Sequence, residues 1–302
     1  MEPTPHEAET VARALKALRT KPVAWGPVTT AGYTPARRWV VALANGSTAF
    51  VKVATDEQTA SWLRDEHLAY SELRGASFMP RYLGWYDDGT NPVLALEDLS
   101  EREWPPPWTA EAIDAVRRAL DELHGTPPFD GLPKADDDHL GLRDGWREVA
   151  ADPAPVVALG LCSAGWLERH LPDLDAAARA APLAGEALLH LDVRSDNVCL
   201  RDGVAVLVDW NWATVGNPDL DLAAWLPSLG AEGGPPPDEV LHDRGELAAA
   251  IAGFLCAHAG RPPILTAPGV RRLQLASARV ALPWACRSLG LPEPSQSPTR
   301  SS

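Results

Sequence analysis

The chain has 302 residues and a formal net charge of −14, and 45% of its residues are hydrophobic. This length buries a large core and favours two lobes over one. The charge argues against binding to nucleic acid or to an anionic membrane surface. It weakly favours a cationic small substrate, although the solubility of an acidic protein is the simpler explanation. The four cysteines show no C-x-x-C pairing, and no apolar stretch approaches roughly eighteen residues, so we expect a cytoplasmic protein without a disulfide framework.

A short helix and a small antiparallel sheet are predicted at the start of the chain. Thr4-Pro5-His6-Glu7 is a capping box with proline at the first helical position. Four strand-like runs follow, one pair joined by the turn-prone Asn45-Gly46 and the other by Asp87-Asp88-Gly89. They are Arg38–Leu43, Thr48–Val53, Tyr82–Tyr86 and Val93–Glu97. These runs predict a sheet of about five strands.

A buried ion pair is predicted between the second of these runs and the helix that follows it. Lys52 is a lone charge on a largely apolar strand. Thr55 is expected to cap this helix, which should run to about Arg74 before Gly75 ends it. Apolar or amphipathic residues surround Glu66 at helical spacing. A carboxylate inside an apolar stripe needs a partner, which Lys52 can supply. Alternatively, Glu66 lies at the edge of the helix and reaches solvent.

From Thr109 onward the chain is predicted to be mostly helical. Thr109 caps a helix that ends at Gly125, and His124 is expected to be a structural hydrogen-bonding residue. Three more helices are predicted before the next turn-rich segment, and Pro182 is expected to kink or divide the last. They cover residues 139–151, 155–170 and 173–189.

A β-hairpin is predicted around Asp202-Gly203, a dipeptide that favours a two-residue type I′ turn. Counting back from that turn places Asn197 opposite Val208 and next to Asp209. Asp192 stands on the loop that enters the hairpin, so three oxygen-bearing side chains converge at its open end. Mg²⁺ prefers such ligands and commonly takes one or two carboxylates together with substrate phosphates. Alternatively, these are ordinary turn residues in a solvated acidic loop.

Helices are predicted again after the hairpin. Asn217-Pro218 starts one, with Asp219 and Asp221 in its first turn, where carboxylates suit the helix dipole. Two more are expected over residues 238–259 and 268–289. Residues 292–302 have the composition of a disordered tail.

Three strings resemble the motifs of a known fold. HLDVRSDN and VDWNW resemble the H-R-D-x-x-x-x-N loop and the D-F-G motif of protein kinases, and with NPDLDLA they are most similar to the aminoglycoside phosphotransferase branch of small-molecule kinases. That branch usually has glycine where this chain has Leu191. The resemblance implies an α+β, bilobal protein-kinase-like fold: a small N-terminal antiparallel five-stranded sheet with one long helix, then a larger, mostly helical lobe. The expected domains are a nucleotide-binding lobe over residues 1–98 and a helical lobe with the catalytic loop and substrate site over 99–291.

The resemblance also implies roles in catalysis and metal binding. Asp192 would accept the proton of the attacking hydroxyl, and Asn197 and Asp209 would hold Mg²⁺. Arg194 would neutralise charge on the transferred group, or alternatively form a surface pair with Asp196 or Asp219. Asp221 would brace the catalytic loop by accepting its backbone amides, unless it only complements the helix dipole.

Five further residues are expected to bind ATP or GTP between the lobes. Lys52, held by Glu66, would orient the phosphates. The carbonyl of Glu97 and the amide of Leu99 would bond the nucleotide base. The segment around Gly32 lacks a G-x-G-x-x-G motif, so two roles remain open for this residue. Gly32 either allows close approach of the backbone to phosphate or is a plain turn glycine.

The sequence therefore predicts an enzyme, a phosphotransferase that moves the γ-phosphoryl group of ATP or GTP to a hydroxyl of a small molecule. An aminoglycoside-like or other antibiotic is the first candidate for the acceptor. The alternatives are a primary metabolite such as choline, a sugar or an amino alcohol, and a nucleotide-binding pseudokinase without transfer activity.

Overall fold

The structure is a computed structural model, and it describes residues 2–28, 35–138, 140–265 and 267–294. The chain forms two compact units. The first comprises Met1–Pro105, Thr109–Leu123 and Ser195–Ala213; the second comprises Pro106–Trp108, His124–Arg194 and Thr214–Ser302. Gly32 and most of the expected disordered tail, residues 295–302, lie outside the described residues. No helix in the described ranges is long and apolar enough to cross a membrane.

The first unit contains the predicted five-stranded antiparallel sheet, with strand order β1-β2-β3-β5-β4. The strands are β1 (Pro22–Pro27), β2 (Arg37–Leu43), β3 (Thr48–Val53), β4 (Tyr82–Tyr86) and β5 (Val93–Glu97). The loop between β2 and β3 has three residues, because Leu43 pairs with Ser47 and the Gly46 amide donates to the Leu43 carbonyl at 2.9 Å. Gly46 has a φ of 85°, which glycine adopts without steric cost.

Three helices complete the first unit: α1 (Pro5–Ala14), α2 (Glu57–Glu72) and α3 (Ala110–His124). The capping box of α1 is confirmed, since the Thr4 amide donates to the Glu7 carboxylate at 2.7 Å. The predicted cap of α2 at Thr55 is wrong by one residue. Asp56 caps that helix by accepting the Thr59 amide at 2.8 Å, because a carboxylate is a strong acceptor for the exposed amides of a helix start.

The second unit is mostly helical. Its helices are α4 (Gly145–Ala151), α5 (Ala154–Ala158), α6 (Ala164–Arg179), α7 (Asp219–Ala231), α8 (Pro237–Val240), α9 (Gly245–Gly260) and α10 (Val270–Leu289). Helix α9 packs against α4, α6 and α10. Gly145 and Gly253 allow α4 and α9 to approach closely, because a Cβ on Gly145 would lie 2.2 Å from the Gly253 carbonyl carbon. The Trp146 indole beside them donates to the Ala249 carbonyl at 2.8 Å.

Several predicted helices of this unit are shorter or divided. The helix over 139–151 begins only at Gly145. The one over 155–170 is interrupted at Gly160, whose φ is 69°, and a new helix starts where Ser163 accepts the Trp166 amide. The one over 238–259 is divided into α8 and α9. Each division falls where a capping side chain or a left-handed residue ends the backbone hydrogen bonding.

The predicted helix over 173–189 is wrong at its end. Helix α6 stops at Arg179, so Pro182 lies beyond it and kinks nothing. Residues Ala187–Leu189 form strand β6, which pairs with β9 (Thr214–Gly216). The local sequence is rich in alanine and leucine and favours a helix, but pairing with a distant strand overrides that preference.

Candidate active site

The predicted hairpin consists of β7 (Val198–Arg201) and β8 (Val204–Leu207), with Arg201 paired to Val204. Asp202 and Gly203 have φ values of 55° and 79°, both positive as a type I′ turn requires. At the open end, the Val208 amide donates to the Asn197 carbonyl at 2.9 Å. The register is therefore confirmed, and it places Asn197 across from Val208, next to Asp209.

The turn of this hairpin gives a test of how the register is set. Gly203→Ala is expected to destabilise the protein by about 1 kcal/mol, because the left-handed conformation strains any residue with a Cβ. A Cβ there meets no other atom within 4 Å, so crowding plays no part. Gly165 on α6 is equally open but helical, and Gly165→Ala should be neutral or stabilising. Urea unfolding measures the free energy of unfolding of both variants. Equal effects would contradict the left-handed conformation of Gly203.

Lys52 on β3 joins two carboxylates. Its Nζ lies 2.7 Å from Oε2 and 3.0 Å from Oε1 of Glu66 on α2, and it also bonds Oδ1 of Asp209. Lys52 is 4% exposed and Glu66 5% exposed. The predicted pair is thus present and buried, and Glu66 does not reach solvent at the edge of its helix.

Burial and the neighbouring charges together shift the pKa values of Glu66 and Lys52. Burial raises the pKa of Glu66 to about 7, against the opposing effect of Lys52. Burial alone would lower the pKa of Lys52, but the charges of Asp209 and Glu66 outweigh it and raise that pKa above its ordinary value. Lys52 therefore remains an ammonium group, which is the form that binds phosphate.

A cavity lies beside Lys52, within the first unit. Four residues of the predicted site line it together with Lys52: Glu97, Leu99, Asn197 and Asp209. Its other lining side chains are mainly apolar and include Phe50, Leu96, Trp104 and Val208. The cavity therefore combines charged side chains with apolar surface.

The Glu97 side chain connects the sheet to the hairpin. It is 7% exposed, and its Oε2 accepts from Arg201 Nη1 at 2.8 Å and from the Arg81 amide at 3.0 Å. Arg201 also donates to the carbonyls of Ser77 and Met79. The carboxylate is therefore occupied by these bonds, and the Glu97 amide donates to the Arg81 carbonyl at 2.8 Å.

Loss of this brace is expected to destabilise the first unit. Arg201→Met should cost about 2–3 kcal/mol, because it leaves the buried Glu97 carboxylate with fewer partners. Arg102→Met is the matched control, since Arg102 is more exposed and lies 3.9 Å from the exposed Asp202. Denaturant unfolding compares the two variants. An effect of equal size in both would show that Arg201 contributes only as a surface residue.

The predicted catalytic loop, residues 190–194, belongs to the second unit. Asp221 of α7, which is completely buried, accepts the His190 amide at 3.1 Å and the Leu191 amide at 2.6 Å. His124 Nε2 lies 2.9 Å from the same carboxylate. The Asp192 amide donates to Nδ1 of His190 at 3.2 Å. The expected bracing contacts of Asp221 are therefore present, and His124 is a structural hydrogen-bonding residue.

Leu191 has a φ of 59°, so the loop adopts a left-handed turn with leucine where the resemblance implies glycine. This strain costs about 1–2 kcal/mol, which the bond to Asp221 helps to offset. Two residues further on, Arg194 Nε lies 3.4 Å from Asp192 Oδ1, whereas Asp219 pairs with Arg244. The two catalytic candidates, Asp192 and Arg194, therefore lie side by side.

Sequence reasoning missed two residues that support the site. Arg201 braces Glu97, and Tyr70 of α2 accepts the Asp209 amide at 3.3 Å through its hydroxyl. Burial, with Glu66 and Asp209 nearby, raises the pKa of Tyr70 well above its ordinary value. The position of Tyr70 four residues after Glu66 was the available signal, since these positions share a helix face.

A family model described as phosphotransferase enzyme family matches residues 29–259, and the chain belongs to this family. A thiamine kinase from Salmonella paratyphi B is 31% identical over 177 residues, which are 57% of this chain and 55% of that protein. The chain thus matches about half the length of that curated relative. The family assignment confirms the predicted resemblance to phosphotransferases.

Two solved structures show the same fold. A macrolide 2'-phosphotransferase type I superposes with a TM-score of 0.50 at 14% identity, over 96% of this chain and 94% of that one. A choline/ethanolamine kinase family protein from Mesorhizobium loti gives a TM-score of 0.51 at 17% identity, over 86% and 92%. The predicted α+β, protein-kinase-like fold is confirmed.

Proposed function

We propose that this protein transfers the γ-phosphoryl group of ATP or GTP to a hydroxyl of a small molecule. The observation that carries the proposal is the buried ion pair of Lys52 and Glu66, with Asp209 and Asn197 on the same cavity. Lys52 supplies a fixed positive charge for the phosphates. The backbone of Glu97 and Leu99 would bond the base, which stacks among the apolar lining residues.

Asn197 and Asp209 are the proposed metal ligands. They contribute hard oxygen atoms at the open end of a rigid hairpin, which suits Mg²⁺. No group of three or more His, Cys, Asp or Glu side chains forms a metal site in the described part of the chain. Two protein ligands agree with a metal that completes its coordination with phosphate oxygens and water. When bound, the metal would neutralise charge on the phosphates.

Asp192 is the proposed general base. The hydroxyl oxygen of the acceptor forms a bond to the γ-phosphorus while the bridging bond to the β-phosphate breaks, and the nucleoside diphosphate leaves with the electron pair. Asp192 takes the hydroxyl proton. Arg194, next to Asp192, would stabilise the negative charge of the transferred group.

The acceptor is proposed as a hydroxylated small molecule, in the first instance an aminoglycoside-like or other antibiotic. One observation favours a second candidate, a cationic metabolite: the relative named thiamine kinase, together with the net charge of −14. We place the protein in the cytoplasm, where nucleotides are available and its four buried free cysteines stay reduced.

A panel screen tests the function. The protein is incubated with ATP or GTP, Mg²⁺ and single candidates, and both nucleoside diphosphate release and a phosphoryl mass gain in the acceptor are measured. The panel includes aminoglycosides, macrolides, peptide antibiotics, nucleosides, sugars, choline and thiamine. Turnover with one class identifies the acceptor. Tight nucleotide binding without turnover across the panel would favour a pseudokinase.

A further inference from the structure

Helix α2 reaches Asp209 by two routes, directly through Tyr70 and indirectly through Lys52 of β3. Glu66 and Tyr70 are four residues apart and lie on one helix face, and both are buried, with Tyr70 only 1% exposed. Glu66 reaches the Asp209 carboxylate through Lys52. Tyr70 reaches the backbone of Asp209, whose amide donates to the phenolic oxygen at 3.3 Å. Helix α2 therefore binds the main chain of Asp209 directly and holds the lysine that binds its side chain.

The main-chain contact matters because of the conformation of Asp209. Its φ is 67°, in the left-handed region that residues other than glycine rarely adopt. Such a conformation persists only where surrounding contacts maintain it. The direction of the Asp209 carboxylate depends on this backbone turn, since another φ would point the side chain elsewhere.

The hydroxyl of Tyr70 is not needed for packing. Phenylalanine would fill nearly the same space, and a buried phenol is unfavourable unless its oxygen has a hydrogen-bonding partner. The partner here is the amide of Asp209. The hydroxyl thus contributes one specific contact, and that contact is to the proposed metal ligand.

We propose that Tyr70 is a positioning residue, whose hydroxyl fixes the backbone of Asp209 so that the carboxylate is oriented to bind the metal of a metal–nucleotide complex. The inference rests on the proposed function, in which Asp209 is a metal ligand. It extends the role of α2, which would orient the phosphate-binding lysine and the metal ligand together.

Tyr70→Phe tests the inference by removing one oxygen atom. Binding of ADP is measured by isothermal titration calorimetry, once in EDTA and once with Mg²⁺. We expect Mg²⁺ to strengthen ADP binding to the native protein. In Tyr70→Phe this strengthening should be about threefold to tenfold smaller, the effect of one hydrogen bond, while binding in EDTA changes less than about twofold.

Tyr82→Phe is the matched control. The Tyr82 hydroxyl lies 3.3 Å from Nδ1 of His67, also on α2, so the same atom is removed beside the same helix but away from Asp209. This variant should retain the full effect of Mg²⁺. Thermal unfolding without ligand should leave both variants within a few degrees of the native protein, as expected for a loss of roughly one hydrogen bond.

The outcomes distinguish an error in the proposed metal role from an error in the role of Tyr70. If Mg²⁺ does not strengthen ADP binding to the native protein, the metal role in the proposed function is wrong. If it does, and Tyr70→Phe retains the whole effect, only the role of Tyr70 is wrong. An equal loss of affinity with and without Mg²⁺ in Tyr70→Phe would show general damage to the cavity and would also overturn the inference.

Discussion

Asp192→Asn is expected to lower kcat by about 10²- to 10⁴-fold with the acceptor found in the panel screen, the range attributed to a positioned general base. The amide has nearly the same shape as the carboxylate but cannot take the hydroxyl proton. Affinity for ADP should not change, because Asp192 is not among the residues that line the cavity beside Lys52. Steady-state kinetics and calorimetry measure the two quantities separately.

Asp202→Asn is the control for this variant. Asp202 is a highly exposed carboxylate at the hairpin turn, where asparagine is well tolerated at positive φ. It should keep full activity. Full activity in Asp192→Asn would show that another group accepts the proton, and a parallel loss of ADP affinity would show that the substitution damages more than the chemical step.

Lys52→Met is expected to destabilise the protein by about 3–5 kcal/mol, because it leaves the buried Glu66 carboxylate without its cation. It should also abolish transfer, because it removes the positive charge proposed to bind the phosphates. The double variant Lys52→Met/Glu66→Met should recover much of the stability but none of the activity. Lys16→Met, which removes an exposed lysine, should change stability by less than about 0.5 kcal/mol. Urea unfolding measures the stability of all three variants.

The effect of Lys52→Met should also depend on pH. The pKa of Glu66 is raised to about 7 in the folded protein, above its ordinary value of 4.5. The charge of Lys52 lowers this pKa, so its removal should raise the pKa further in the variant. Above about pH 7 the native protein loses no more stability through Glu66, whereas the variant continues to lose stability as the pH rises towards its own higher pKa. The destabilisation of the single variant should therefore be larger near pH 8 than near pH 6. A pH-independent difference would mean that Glu66 is not the residue left unpaired.

Local patterns were sufficient for much of the fold and of the candidate site. The register of the hairpin follows from a two-residue turn, which fixes every pair that comes after it. Lys52 and Glu66 were paired because each carries a charge inside an apolar pattern, and two such residues on neighbouring elements have few other partners. Four strands of the sheet agree with the sequence runs to within one residue.

The sequence patterns do not predict contacts between segments that are distant in the chain. Strand β6 exists because residues 214–216 pair with it, and nothing in its own sequence indicates that partner. The bond from Arg201 to Glu97 and the bond from Asp209 to Tyr70 likewise join segments far apart in the chain. A pattern of spacing within one element cannot show which distant side chain completes a hydrogen bond.

The first unit is assembled from three separate stretches of chain, and this has a consequence for biosynthesis. Leu99 and Trp104 pack against Cys199, Val206 and Val208 of the hairpin, so that cluster cannot close until the ribosome has released residues beyond Ala213. Until then the nascent sheet exposes apolar surface, which chaperones bind and which promotes aggregation. A fragment that ends at Pro105 contains all five strands but should not fold into a stable unit.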